Sequence, residues 1–119
     1  MNWYKKSENF AKNAKDALKS GLYDIACFSC HQAIELYLKG KIIDISGSKP
    51  YTHSLIELIE ILEKFGYKIQ KNIKQCIIEL NEHYIQARYP DARISEYTKN
   101  EAEKAIKCME EILDYVKIL

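Results

Sequence analysis

The sequence predicts an all-α protein, an up-and-down bundle of four to five helices that forms a single domain over residues 1–119. Three observations carry this expectation. Apolar residues recur at helical spacing through several long stretches. Gly, Pro and Ser close those stretches while capping patterns open them, and no stretch alternates apolar and polar residues as a half-buried strand does. A chain of 119 residues is also long enough to bury one core without help from disulfides or metal.

In the first stretch Trp3, Phe10, Ala14, Ala17 and Leu18 share one stripe opposite lysines and Glu8, and Ser20-Gly21 closes it. The second runs from near Leu22 to about Ile45, where Ser46-Gly47-Ser48 and Pro50 end it. Residues 25–38 of this helix are apolar over most of its circumference, as expected of a central helix covered on several sides. Gly40 costs a helix about 1 kcal/mol relative to Ala, so its presence points to close approach of another backbone, for which a dimer interface is one source. Ser54 and Glu57 fit a capping box opening a short third helix, with Leu55, Leu58, Ile59 and Leu62 on one face and Gly66 at its end. A fourth helix is expected from Ile69 to Ala87, its face formed by Ile69, Ile73, Cys76, Ile77, Leu80, Tyr84 and Ala87. Thr98 and Glu101 repeat the capping-box pattern before a last helix carrying Ala102, Ala105, Ile106, Met109, Leu113 and Val116.

The formal net charge of +1 provides no global attraction for nucleic acid, so any such contact must come from a local patch. No apolar run reaches the length needed to span a bilayer, and the N-terminal residues lack the apolar core of a secretion signal. A cytoplasmic protein is therefore expected, with Cys27, Cys30, Cys76 and Cys108 reduced and serving as small core residues.

Unusual chemistry gathers at the exit of the fourth helix, in Tyr84-Ile-Gln-Ala-Arg-Tyr-Pro-Asp-Ala-Arg93. The chain carries sixteen lysines but two arginines, and both, Arg88 and Arg93, fall here. A planar guanidinium binds carboxylate or phosphate at two points, which Lys does not. Pro90 forces Tyr89 toward extended geometry and ends the helix near Arg88. Asp91 lies between the arginines, either to orient one for a ligand or merely to fasten the loop. His83, Tyr84 and Tyr89 accompany Arg88 and have the chemistry to bind a phosphate and stack a base, although tyrosines are equally at home in a core and His83 on a surface.

On the central helix Gln32, Glu35 and Lys39 share one face. This stripe is either a solvated face or a semi-buried network turned toward the site. His53, at the start of the third helix, has the chemistry to contact an anion or exchange a proton, and equally to cap or pack. Cys27-x-x-Cys30-His31 offers metal-ligating side chains on one helical face but lacks a fourth partner. No metal or other cofactor is expected, and neither a glycine-rich phosphate loop nor a nucleophilic triad is recognisable.

Ala26-Cys-Phe-Ser-Cys-His-Gln-Ala-Ile-Glu-Leu-Tyr-Leu-Lys39, then Thr52-His53-Ser54-Leu55, then Tyr84-Ile-Gln-Ala-Arg-Tyr-Pro-Asp91 occur in an order and spacing that resemble the HEPN family, the higher eukaryotes and prokaryotes nucleotide-binding domain. The resemblance covers nearly the whole chain. It implies a helical bundle that commonly dimerises, with its polar face near the dimer junction and functional positions at Gln32, Glu35, Lys39, His53, Arg88, Tyr89, Pro90 and Asp91. Small stand-alone members are often encoded beside a minimal nucleotidyltransferase, in pairs thought to act as toxin and antitoxin. The ribonuclease branch of the family carries an Arg followed a few positions later by a His. Here no histidine follows either arginine, and His83 precedes Arg88.

The resulting expectation is a non-catalytic, homodimeric module that binds a nucleotide or RNA phosphate and docks a nucleotidyltransferase, without a membrane partner. Arg88 would bind the phosphate, Tyr84 and Tyr89 would stack or pack, and Asp91 would orient Arg88. Two alternatives stand beside it. One is a metal-independent ribonuclease toxin in which a dimer brings His53 or His83 near Arg88, and the other is a plain dimerising scaffold.

Overall fold

The computed structural model describes residues 2–119 and contains six helical segments: α1 (Trp3–Lys19), α2 (Tyr23–Ser46), α3 (Leu55–Lys64), α4 (Lys71–Asn81), α5 (His83–Gln86) and α6 (Lys99–Lys117). No strand is present among the described residues. None of these helices is long and apolar enough to cross a membrane.

Helix α1 starts where the Asn2 side chain accepts the Lys5 backbone N–H at 2.9 Å. It ends at Gly21, whose φ of +76° lets the chain reverse while the Leu22 N–H returns to the Ala17 carbonyl. The hairpin that follows is tight because the buried face of α1 is made of small residues, Ser7, Ala14 and Ala17. Ser7 donates a 2.6 Å hydrogen bond to the Ala33 carbonyl of α2, Asn13 donates to Ser29, and Tyr4 donates to Asp44. These pairs fix an antiparallel register. They also explain Gly40: a Cβ there would lie 2.8 Å from the Trp3 Cβ and 3.1 Å from the Tyr4 ring. The close approach anticipated at Gly40 thus comes from α1 of the same chain, with no second copy required.

Helix α2 packs against all five other segments and is the centre of the bundle. Its Ile34 and Leu38 meet Leu55, Leu58 and Leu62 of α3, Ile77 and Leu80 of α4, and Met109 and Ile112 of α6 in one continuous core. The α3–α4 pair is antiparallel, with the Leu55 N–H bonded to the Asn81 side chain at one end and Lys74 paired with Glu63 at the other. For α3 only half of the expected box forms: Ser54 accepts from the Glu57 N–H, while the Ser54 N–H goes to Thr52 instead. For α6 the Thr98–Glu101 box is complete.

Two expectations change here. The single helix expected over residues 69–87 begins later, at Lys71, because the Tyr115 hydroxyl occupies the Lys68 carbonyl and the Gln70 N–H. It is also interrupted at Glu82, after Asn81 has turned its side chain to the start of α3; one short turn, α5, then carries the chain to Ala87. The four cysteines also divide. Cys27 and Cys30 are free and buried, whereas Cys76 and Cys108 form a disulfide, their Cα atoms 5.2 Å apart. The antiparallel contact of α4 with α6 sets these two side chains face to face, a pairing that residues 32 positions apart do not announce.

Candidate functional site

The polar stripe of α2 is buried at Glu35 and Lys39 and half-buried at Gln32. Glu35 and Lys39 are only 3% and 5% exposed, and together with His31 they recur every fourth residue along one helical line. Glu35 is the hub of this network. Its carboxylate accepts from Lys39 Nζ at 2.9 Å and from Gln32 Nε2 at 3.3 Å, and it meets His53 Nδ1 at 3.0 Å. His31 Nδ1 lies 3.7 Å away. Burial holds the His31 imidazole neutral, lowering its pKa to about 4, even though Glu35 nearby pulls the other way. Its Nε2 is buried without a hydrogen-bond partner.

His53 carries this buried charge outward. Ser54 is the N-cap of α3, so the residue before it stands free of the helix and its imidazole reaches back to Glu35. The other side of the ring environment is Tyr84 of α5, stacked at 4.4 Å between centroids and 12° between planes. Arg88, just past α5, lies over the same Tyr84 ring at 4.8 Å, over Tyr89 at 5.3 Å and over Phe28 at 5.8 Å. An ordered series results, from buried Glu35 through His53 and Tyr84 to Arg88. Among the described residues no carboxylate pairs with Arg88, so its donors remain available while its guanidinium carbon lies within cation–π range of three aromatic rings.

Arg93 has the opposite role. Its guanidinium pairs with Glu101 through two contacts, at 2.9 and 3.1 Å, and covers the Tyr97 ring at 4.1 Å. The Tyr97 hydroxyl makes a 2.7 Å hydrogen bond with His83 Nδ1. Burial lowers His83 to about 4 and raises Tyr97 to about 12, so both are neutral at ordinary pH. Fastening of the loop, one of the two roles considered for an arginine here, is thus what Arg93 does, with Glu101 rather than Asp91. Asp91 is exposed, and among the described residues it pairs with neither arginine. His83 is buried against Tyr97, away from the Arg88 stack where the sequence had grouped it.

A cleft of about 550 Å³ opens beside the stack. Arg88, Tyr89, Pro90 and Arg93 line it together with Tyr23, Asp24 and residues 94–97. Gln32, Glu35, Lys39, His53 and Tyr84 do not line this cleft; the His53–Tyr84 and Tyr84–Arg88 contacts connect them to it. Cys27 and Cys30 are core residues, and His31 faces Glu35 and Tyr84. Sequence reasoning left three participants out of the site. His31 was legible as the residue four before Glu35; Phe28 and Tyr97 carried no local signal, because only tertiary packing brings them to the two arginines.

The chain matches the model of the HEPN domain over residues 1–119. Among solved structures, TT1696 from Thermus thermophilus is similar at 29% identity and a TM-score of 0.89, over 97% of this chain and 93% of that one. ST0689, an archaeal HEPN homologue, is 30% identical with a TM-score of 0.76, covering 97% and 92% of the two chains. An HEPN domain protein (tm0613) from Thermotoga maritima shares the fold at 23% identity and a TM-score of 0.76, over 97% and 93%. No curated protein matches. With a domain model spanning the full length of an all-helical bundle, the chain belongs to the HEPN domain family.

Proposed function

We propose that this chain is a non-catalytic HEPN module that binds a nucleotide or RNA phosphate at Arg88. The observation that carries the reading is the Arg88 guanidinium among the Tyr84, Tyr89 and Phe28 rings, unpaired by a carboxylate among the described residues and bordering the cleft of about 550 Å³. A phosphate would take the in-plane donors, and Tyr89, which is 48% exposed, would offer a face for a base. Buried Glu35, with Gln32 and Lys39, would hold His53 and hence the stack in place, and Asp91 would stand at the rim. In this reading the module works as a homodimer and docks a minimal nucleotidyltransferase as part of a toxin–antitoxin pair. Exposed Leu22, Ile25 and Ile85, on the first turns of α2 and on the α5 segment packed against it, support a further protein surface there. Fluorescence anisotropy with a labelled RNA oligonucleotide and with a labelled nucleotide tests the binding claim: saturable binding is expected, and none for either ligand would defeat it.

A second reading is favoured by one contact. Glu35 and His53 form a carboxylate–imidazole couple at 3.0 Å, with Arg88 on the neighbouring ring, and such a couple is able to serve as a general base beside a phosphate-binding group. Incubation with mixed-sequence RNA separates the two. Cleavage lost in both His53→Ala and Arg88→Ala would establish a ribonuclease, and intact RNA in the presence of binding would support the module.

A further inference from the structure

Apart from the Arg88 stack, α4 and α6 bring together a donor set that the reading above does not use. Cys76 and Cys108 are almost fully buried and disulfide-linked, and the carboxylate of exposed Glu79 lies 3.3 Å from Cys108 Sγ. One oxygen of Glu79 and the two sulfurs all lie within 4.8 Å of one another. A second carboxylate, that of Glu111, stands 3.6 Å from Cys76 Sγ. Among the described residues neither Glu79 nor Glu111 has a basic side chain paired with it. Solvent reaches the group through a cavity of about 190 Å³ lined by Cys108, Glu79, Glu82, His83, Glu101 and Lys104.

Two sulfurs flanked by two unpaired carboxylates make a poor environment for two thiolates alone, since four negative charges would repel. The same set matches what a thiophilic divalent cation takes, thiolate and carboxylate ligands at a rigid site with an entry path. We infer that Cys76, Cys108 and Glu79 form a redox-gated three-ligand binding site for a zinc-type divalent cation. In the oxidised protein the disulfide consumes both sulfur ligands. A dithiol reductant opens it, passing two electrons and two protons to the cysteines and becoming a disulfide itself. Binding of the cation then releases the two thiol protons as two metal–sulfur bonds form. The two cysteines sit on facing helices, so either bond, S–S or S–metal–S, ties α4 to α6.

The full chain, reduced with a dithiol and freed of reductant under anaerobic conditions, is titrated with Cd²⁺ as a spectroscopic probe and then with Zn²⁺ against a chromophoric chelator. Expected are a thiolate-to-cadmium charge-transfer band that saturates at one ion per chain, and no band in the oxidised protein. The double variant Cys76→Ser/Cys108→Ser, checked for helix content by circular dichroism, should abolish the band, and each single variant should weaken it. Glu79→Gln, which keeps both sulfurs, should retain the band with affinity lower by roughly tenfold or more. A reduced protein that gives no band would overturn the inference. So would a band that survives in Cys76→Ser/Cys108→Ser, which would place the metal on Cys27 and Cys30, or an unchanged affinity in Glu79→Gln.

Discussion

Glu35 shows at the scale of one residue what the central helix sacrifices for its site. A carboxylate 3% exposed is tolerated because Lys39 Nζ sits 2.9 Å away and His53 completes its coordination. Removing one partner of such a pair leaves the other charge buried and uncompensated, which costs about 3–5 kcal/mol. Glu35→Ala is therefore expected to lower stability in urea denaturation by that amount, and the double variant Glu35→Ala/Lys39→Met to recover much of the loss. Equal losses in single and double variants would show that the two side chains are not coupled. The spacing of Gln32, Glu35 and Lys39 was readable from the sequence as one face, whereas its burial was not. Periodicity reports which residues share a face, and only the packing of α3 and α5 against α2 decides whether that face meets solvent.

Among the elements, α1 and α2 depend on close approach at Gly40. A methyl added there meets the Trp3 Cβ at 2.8 Å, an atom next to the backbone that cannot swing aside. Overpacking of this kind costs about 1–3 kcal/mol, against a gain of about 1 kcal/mol in helix propensity. Gly40→Ala should thus be neutral to destabilising by up to about 2 kcal/mol by thermal denaturation, and a gain of about 1 kcal/mol would show that α1 yields freely. Helices α4 and α6 are tied by Cys76–Cys108, which closes a loop of 32 positions. In the chain-entropy account such a loop adds roughly 3–4 kcal/mol. Denaturation of the metal-free protein with and without a dithiol should differ by about that much, and coincident curves would mean that the link adds nothing. The helices themselves were legible because stripes and caps are local. The Glu82 interruption and the disulfide were not, because each depends on a partner element, Asn81 turned to α3 in one case and Cys108 on α6 in the other.

For the whole molecule, two buried histidines link stability to pH. Burial lowers both His31 and His83 to about 4, while in an unfolded chain each would titrate near its ordinary value of about 6.5. Between those values the unfolded chain binds protons that the folded chain refuses. Stability is therefore complete above about pH 6.5 and falls as pH drops toward 4, by about 1.4 kcal/mol per pH unit for each histidine. His83→Gln should roughly halve that slope in chemical denaturation across the window, and an unaltered slope would show that His83 titrates normally when folded. The same scale explains what family resemblance delivered: three short motifs distant in the chain, on α2, before α3 and from α5 onward, converge on one series of side chains. Their order was visible in the sequence. The separation of Arg88 from Arg93, one left open and the other closed by Glu101, required the fold.

The most direct test of the account is the affinity of a labelled RNA oligonucleotide for the wild type, Arg88→Ala and Arg88→Lys at one fixed, low salt concentration. If the stacked guanidinium is the phosphate-binding group, losing its charge-assisted hydrogen bonds should weaken binding by about 10- to 100-fold. Lys, which can neither stack nor present two parallel donors, should restore little of it. Equal affinity in all three proteins would contradict the assignment of Arg88.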